Sequence, residues 1–231
     1  GRAFDVARLA REDEQLAGLV ERLAAGAPDL LGDQEPGDLF GEGGARRMVL
    51  HGIHVQEPGA GAVGHYALQF ARMLGARQVL ATASTPQKAA GARDAGADLV
   101  VDYRQPDAAA QLRAAAGGDG VDRIVELDIA ANAALDLELL RPGGALVVYG
   151  SGAGSFELPF FPLIAKNVNL HAFIVYNLAS ADRERAQQAL TAWLSRGALE
   201  HRIAARLPLA EIAQAHELVE QGRAVGNVVL S

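Results

Sequence analysis

Apolar and polar positions follow the repeat of a strand in some stretches of the chain and the repeat of a helix in others. Short apolar runs predict strands over residues 78–82, 99–101, 123–127, 145–149 and 170–176. Between and after them, apolar residues at helical spacing predict helices over residues 86–95, 107–116, 131–140 and 181–195. Strands that alternate with helices in this way indicate an α/β fold, with a doubly wound parallel sheet that helices cover on both faces.

The two ends of the chain differ from this middle part. Residues 1–45 carry apolar positions that predict one short amphipathic helix, followed by a polar connection rich in glycine and proline. Near the other end, we expect a strand over 201–206, a helix over 209–221 capped by Gly222, and a strand over 227–230. The chain therefore divides into a helical extension and linker (1–45), a central α/β domain (46–200) and a C-terminal strand–helix–strand segment (201–231).

The most informative motif lies where the first apolar run meets the first helical pattern. The run from Val49 leads into Gly59-Ala60-Gly61-Ala62-Val63-Gly64, and apolar residues then continue at helical spacing. Strand, glycine turn and helix in this order are the context of a dinucleotide-binding fingerprint. Gly59 permits the tight turn, Gly61 lets the backbone approach a pyrophosphate, and Gly64 lets the helix pack closely on the strand. The phosphates then lie at a helix N-terminus, which favours anions.

The end of the second strand bears on the choice of dinucleotide. An acidic residue there accepts hydrogen bonds from a free ribose hydroxyl and repels a phosphate. This chain instead has Ser84 and, one helical turn later, Lys88. A hydroxyl and a lysine suit a 2′-phosphate, so the sequence favours NADPH over NADH. A structural role is compatible with this, because Ser84 or Thr85 also suits a helix N-cap, with Pro86 in the first turn and Lys88 in solvent.

Further candidates follow other predicted strands. Tyr103 comes after the third strand and suits a place near the adenine, with Arg104 adding positive charge. A tyrosine half-buried at a strand end fits the same spacing equally well. Gly150 and Ser151 follow another strand, at the carboxyl edge where open α/β sheets bind ligands. The apolar stretch 173–175 is a more ambiguous candidate, because an apolar strand normally belongs to the core.

The sequence gives less support to a metal site, an acid/base pair or a serine nucleophile. The six histidines show no metal-ligand spacing and lack an accompanying carboxylate or cysteine cluster, which argues against a zinc site. Glu126 and Asp128 lie beside a strand end, and we interpret them as solvated edge carboxylates rather than as an acid/base pair. The stretch Gly150-Ser151-Gly152 lacks the frame of a nucleophile elbow.

Composition narrows the classes of function. The net charge of −7 argues against a general nucleic-acid binder, and no apolar run reaches the length of about 20 residues that spans a membrane. The first residues do not resemble a signal peptide, because charged side chains interrupt any apolar stretch. The chain has no cysteine, which excludes disulfides and thiolate metal sites and makes the cytoplasm the expected compartment.

Several stretches in the same order resemble one known family. They are GAGAVGHYALQFAR at 59–72, ATASTPQK at 81–88, AGAD at 95–98, VDYR at 101–104, LRPGG at 140–144, VYGS at 148–151, LPLAEIAQAH at 207–216 and GRAVGNVVL at 222–230. Together they resemble the Rossmann-type nucleotide-binding domain of the medium-chain dehydrogenase/reductases. The most similar branch is that of the zinc-free, zeta-crystallin-like NADPH:quinone oxidoreductases, and the resemblance runs from about Val49 to the C-terminus.

The resemblance implies roles for individual residues. It implies that residues 60–63 contact the pyrophosphate and that Ser84, Lys88 and Tyr103 surround the adenosine phosphate. It likewise implies that Gly150 and Ser151 lie beside the cofactor, and that residues 173–175, including Phe173 and Val175, lie along the nicotinamide. Members of the branch transfer hydride from NADPH to a quinone or an activated alkene (an enone, for example), and many are dimers through the sheet edge that residues 170–176 would supply.

The chain also departs from the family pattern. Family members carry a GroES-like domain before the nucleotide-binding domain, and residues 1–45 neither match that domain nor suffice to build it. The C-terminal segment, which completes that domain in the family, is present. Two hypotheses follow: an oxidoreductase whose pocket another chain completes, or a truncated, catalytically silent NADPH-binding protein. A methyltransferase with a related glycine turn is a weaker third, because Ser84 replaces the acidic residue that it would need.

The C-terminal segment leads to an expectation about assembly. Ile212, Ala215, Val219 and the strand 227–230 carry an apolar face that the family assigns to the other domain. A large apolar patch normally marks an interface. The predicted N-terminal helix is short, so we expect it to cover this face incompletely and the protein to form a homodimer or otherwise self-associate.

Overall fold

A computed structural model describes residues 47–53, 60–221 and 223–231. The predicted N-terminal helix and linker, Gly59 and the predicted Gly222 cap lie outside the described residues. The strands, in chain order, are β1 (Arg47–Ile53), β2 (Gln78–Ala83), β3 (Leu99–Asp102), β4 (Val121–Glu126), β5 (Leu140–Val148), β6 (Asn169–Ala172), β7 (Ile203–Leu207) and β8 (Asn227–Leu230). The α-helices are α1 (Ala60–Met73), α2 (Pro86–Asp94), α3 (Ala108–Ala116), α4 (Ile129–Leu139), α5 (Phe160–Ala165), α6 (Ser180–Ser195) and α7 (Ile212–Glu220).

Six of these strands form one sheet in which every described pairing is parallel. The strand order is β3-β2-β1-β4-β5-β6. The chain winds outward from β1 to β3, returns to β4 beside β1, and winds outward again in the other direction. This confirms the predicted doubly wound α/β fold. The reversal places a crevice outside the carboxyl ends of β1 and β4, where open sheets of this type bind ligands.

Apolar side chains pack against the sheet in two clusters. One cluster joins the sheet to α1, α2 and α6, and the other joins it to α3 and α4. In the first cluster Phe70 of α1 is fully buried, and its ring stacks on Trp193 of α6 with 5.2 Å between the ring centroids. Because both faces of the central strands are covered, their residues are almost continuously apolar. This is why the strands could be located from short apolar runs.

Three features of the sheet differ from the sequence prediction. The strand predicted over 170–176 ends at Ala172, and residues 175–177 turn into a 3-10 helix. The short helix α5 was not predicted. The stretch 142–144, which comes before the strand predicted over 145–149, lies inside β5, where the register moves from Val121 opposite Leu140 to Arg123 opposite Ala145. Gly143 accommodates this irregularity with a φ of 71°.

The C-terminal segment forms a small parallel pair of β7 and β8 joined by α7, as the predicted strand–helix–strand order requires. Polar side chains of α1 fix this segment to the main sheet. The Tyr66 hydroxyl bonds with His201 Nδ1 at 2.8 Å, and the Gln69 amide both donates to and accepts from the backbone of Glu200 at 3.1 and 2.8 Å. The segment is therefore docked on the helix that begins in the glycine motif.

None of the helices that the structure describes is both long and apolar enough to cross a lipid bilayer.

Candidate functional site

The glycine motif lies at the carboxyl end of the central strand β1. Residues 60–64 form the first turn of α1, so the motif's last five residues are helical and the N–H groups of this turn have no partner within the helix. Gly64 is buried and Val63 is half-buried beside the first core cluster. The N-terminus of a 14-residue helix thus faces the crevice, which is the arrangement that favours a phosphate group.

The end of β2 presents a hydroxyl and an amine that are free to bind a ligand. Thr85, not Ser84, is the N-cap of α2: its side chain accepts a hydrogen bond from the Lys88 backbone N–H at 3.2 Å, and Pro86 begins the helix. Neither the Ser84 hydroxyl nor the Lys88 amine has a side-chain partner within the described part of the chain. Burial, followed by the positive charge of Arg104, lowers the pKa of Lys88. A half-buried cation beside a second cation is a favourable position for an added anion.

The end of β3 carries the second of these cations. Arg104 forms a two-point ion pair with Asp102 through Nε and Nη2 at 3.0 and 2.8 Å, and hydrogen bonds from Arg104 hold the pKa of Asp102 well below its usual range. The Asp102 carboxylate is therefore already neutralised by its neighbour. Between these two residues in sequence, Tyr103 lines a cavity of about 270 Å³ together with Thr82, Gln105, Pro106, Ala108, Ala109, Leu112, Asn132 and Leu135.

The ends of β5 and β6 enclose a larger cavity of about 490 Å³. Gly150, Ser151 and Phe173, all candidates from the sequence, line it together with Ile129, Val148, Tyr149, Phe156, Ala172, Ile174, Asn177 and Leu178. Gly150 approaches the residue after β4 so closely that a Cβ at position 150 would collide with the carbonyl oxygen of Leu127. Val175 is buried in the 3-10 turn and does not line the cavity.

The sequence interpretation of Glu126 as a solvated edge carboxylate is wrong. Glu126, the last residue of β4, is fully buried. Its Oε1 accepts a hydrogen bond from the Asp128 backbone N–H, and both its carboxylate oxygens accept from Asn132 Nδ2 at 3.2 Å. Asp128 itself is half-buried, and its Oδ1 accepts from the Gly152 N–H at 2.7 Å.

A second buried carboxyl faces Glu126 from α4. Asp136 is fully buried, and its carboxyl interacts electrostatically with that of Glu126. Burial is the main cause that raises the pKa of Glu126, to about 7, and the charge of Asp128 raises it further. Burial and the neighbouring Glu126 raise the pKa of Asp136 well above its usual range. The sequence did hold one signal for this arrangement, because Asn132 and Asp136 lie four residues apart on the same face of a helix.

The candidate residues therefore fall into three groups along one edge of the sheet. Residues 60–64 are at β1, Ser84, Lys88 and Tyr103 are at β2 and β3, and Gly150, Ser151 and Phe173 are at β5 and β6. Among the residues in the described ranges, no group of three or more histidine, aspartate or glutamate side chains is placed to hold a metal ion.

Comparisons with known proteins identify the family and relatives of the chain. Residues 62–196 match the family described as "Zinc-binding dehydrogenase". The quinone oxidoreductase of Pongo abelii is 30% identical over 194 residues, which cover 80% of this chain and 58% of that protein. The 2-haloacrylate reductase of a Burkholderia species is 29% identical over 225 residues, which cover 91% of this chain and 67% of that protein.

A solved mycobacterial protein, in complex with NADPH, superposes with a TM-score of 0.63 at 30% identity, over 80% of this chain and 57% of that one. The chain thus spans a little more than half the length of the curated quinone oxidoreductase that it matches. The family match, the parallel sheet and the glycine helix agree with one another. The chain therefore belongs to the zinc-binding dehydrogenase family and is related to the zeta-crystallin-like quinone oxidoreductases of the medium-chain dehydrogenase/reductase superfamily.

Proposed function

We propose that this chain binds NADPH along the carboxyl edge of its sheet and serves an oxidoreductase that transfers hydride to a quinone or an activated alkene. The observation that carries the proposal is the pair Ser84 and Lys88, which offers a hydroxyl and an amine without an acidic partner where a 2′-phosphate would lie. A carboxylate at this position would favour NADH instead. The nearby Asp102 carboxylate forms an ion pair with Arg104, so its charge would not repel a phosphate.

The other candidate residues would bind the rest of the cofactor along the same edge of the sheet. Residues 60–64 would hold the pyrophosphate with the backbone N–H groups of the first turn of α1. The cavity of about 270 Å³ beside Tyr103 would receive the adenine, whose flat face suits a tyrosine ring. The nicotinamide would enter the larger cavity beside Gly150, Ser151 and Phe173. Val175 would support this wall from behind rather than contact the ring.

The chemistry of the reaction would come from the cofactor, which supplies the hydride when it is bound. The residues of the chain would orient the ring and exclude water from it. A cavity of about 490 Å³ lies in the size range of small-molecule sites, and its lining is largely apolar with a few polar groups such as Ser151 and Asn177. Quinones and polarised alkenes are flat, mostly apolar acceptors that suit such a lining, and two relatives are named for them.

A first prediction concerns cofactor choice. We expect NADPH to bind more tightly than NADH, and Lys88→Ala to remove about 1–3 kcal/mol of that preference, the range for a charge-assisted hydrogen bond. Arg93→Ala is the matched control, because Arg93 is an exposed cation on the same helix. Titration of nicotinamide fluorescence measures both affinities. Equal affinities for the two cofactors in the unmutated protein would contradict the proposal.

Turnover is a separate question from binding. The experiment is to follow NADPH oxidation with a simple quinone and with an enone, beside a measured dissociation constant. Binding with turnover supports the oxidoreductase. Binding without turnover favours the second hypothesis, a catalytically silent NADPH-binding protein.

We also propose that the protein forms a homodimer through the β6 edge of the sheet. Within the described part of the chain β6 pairs only with β5, so its other edge offers unpaired backbone groups. Exposed apolar side chains occur shortly before and after β6 in the chain, with Phe161 at 75%, Tyr176 at 66% and Ile174 at 54% exposure. A second copy of the chain would extend the sheet and cover them.

We predict that sedimentation at low micromolar concentration will show a dimer, and that Ile174→Lys will shift it to a monomer. The control is Leu209→Lys, at a comparably exposed apolar position beside the C-terminal pair of strands. If Leu209→Lys dissociates the protein and Ile174→Lys does not, the C-terminal face is the interface and the β6 proposal is wrong. If the unmutated protein is already a monomer, neither the β6 edge nor the C-terminal face is a dimer interface.

A further inference from the structure

Glu126 is hydrogen-bonded to segments that line two different cavities. It ends β4 near the centre of the sheet, and Asn132 of α4 contacts its carboxylate. Ile129 on the first turn of α4 lines the larger cavity, whereas Asn132 and Leu135, further along the same helix, line the cavity beside Tyr103. A change in the position of α4 or of the turn that precedes it would therefore alter both cavities together.

Two sets of hydrogen bonds connect the Glu126 carboxylate to the cavity walls. On one side, Asn132 Nδ2 donates to both carboxylate oxygens, which fixes a side chain in the wall of the Tyr103 cavity. On the other side, the Asp128 N–H donates to Oε1, and the Asp128 carboxylate in turn accepts from the Gly152 N–H. That second connection reaches the loop whose residues 150 and 151 line the larger cavity.

Asp136 is the second buried carboxyl beside Glu126. Both side chains are fully buried and their charges act on each other, which disfavours ionising both at once. Burying two carboxyls is costly, and apolar residues of similar volume would fill the same space at lower cost. The presence of the pair is therefore better explained by the groups that it holds in place than by stability of the core.

We propose that Glu126, held by Asp136, is a positioning residue that aligns the adenosine side and the nicotinamide side of the cofactor cleft with each other. This inference rests on the proposed function. Glu126 is fully buried and lines neither cavity. It fixes Asn132 on the adenosine side and, through Asp128, the loop 150–152 on the nicotinamide side.

The test uses two probes, NADPH and adenosine 2′,5′-bisphosphate, which represents the adenosine side alone. We expect Glu126→Leu to weaken the binding of both probes about tenfold. Glu126→Gln should stay within about threefold of the unmutated protein, because a carboxamide oxygen still accepts from Asp128 and Asn132 while its N–H₂ donates to Asp136. Ile124→Ala is the stability control, since Ile124 is fully buried on the same strand but lines neither cavity.

Two further variants test the hydrogen bonds through Asp128 and through Asn132 separately. They also provide the test if Glu126→Leu does not fold. Asp128→Ala should weaken the binding of NADPH about tenfold and leave the binding of adenosine 2′,5′-bisphosphate unchanged. Asn132→Ala should weaken both probes, because the adenosine side is common to them. Asn132 and Asp128 are both half-buried, so these variants disturb the core less.

The outcomes distinguish this inference from the proposed function. If the unmutated protein binds neither probe, the proposed function fails. If it binds both but the Glu126 variants weaken binding only in proportion to their loss of stability, as Ile124→Ala does, the positioning role is wrong and the NADPH site stands. Unchanged binding by both Asp128→Ala and Asn132→Ala overturns the inference in the same way.

Discussion

Gly61→Val is expected to weaken NADPH binding by about 100-fold or more while leaving the fold intact. Gly61 is the second residue of α1, in the turn whose N–H groups face the crevice at the end of β1. A pyrophosphate must approach this backbone to within hydrogen-bond distance, and a branched side chain would keep it away. Valine is a better helix former than glycine, so the helix itself has no reason to unfold.

Gly118→Val provides the matched control for this prediction. A Cβ at residue 118 would have no heavy atom within 4 Å, so the same change there adds the same bulk to open space. Fluorescence titration gives the two dissociation constants, and circular dichroism with urea unfolding shows whether each variant keeps the fold. Normal NADPH binding by a folded Gly61→Val protein would mean that the phosphate-binding turn lies elsewhere in the chain.

The order of strands and helices could be predicted because each carries its own local signal. Strands that are buried on both faces are apolar runs, and the helices between them repeat with the period of a helix. The strand predicted over 78–82 is observed as β2, and the helix predicted over 181–195 is observed as α6, each within one residue at either end. The last strand, 227–230, has the predicted ends.

The predicted strands and helices are wrong where the apolar pattern does not specify a backbone conformation. Residues 170–176 are mostly apolar, but the strand ends at Ala172 and residues 175–177 form a 3-10 turn that buries Val175. Periodicity could not find this end, because a buried turn and a buried strand have the same composition. The helix α5 is only six residues long and contains a proline, and none of its residues is buried, so no apolar stripe indicated it.

The candidate site was predictable only in part, for a related reason. Ser84 and Lys88 could be named because their positions after the second strand follow from the order of the elements. The capping role of Thr85, which leaves Ser84 free, depends on backbone geometry that the sequence does not reveal. Glu126 was misread because a carboxylate at a strand end is usually solvated, whereas here α4 covers it and supplies Asp136 and Asn132.

The buried pair should also make the stability of the protein fall as the pH rises. The pKa of Glu126 is raised from its ordinary value of 4.5 to about 7, with burial as the main cause. Between these values the unfolded chain has lost the proton that the folded chain keeps, so the free energy of unfolding decreases with pH. At about 1.4 kcal/mol per pH unit, Glu126 alone contributes a loss of about 3 kcal/mol, which is complete above about pH 7. Asp136 acts in the same direction because its pKa is also raised.

Urea unfolding at pH 5 and pH 8 measures this loss, and the reference is the double variant Glu126→Gln, Asp136→Asn, which cannot titrate at either position. The reference also removes the contribution of His201 from the comparison. Burial and the charge of His65 lower the pKa of His201 below its ordinary value, so this residue acts in the opposite direction. Asp102 does not interfere, since its lowered pKa places its effect below this window. We expect the unmutated protein to lose at least about 3 kcal/mol more than the reference between the two pH values, because Asp136 adds to the loss from Glu126. An equal change in both proteins would show that Glu126 and Asp136 are ionised throughout, and that water or a cation reaches a pair that the structure encloses completely.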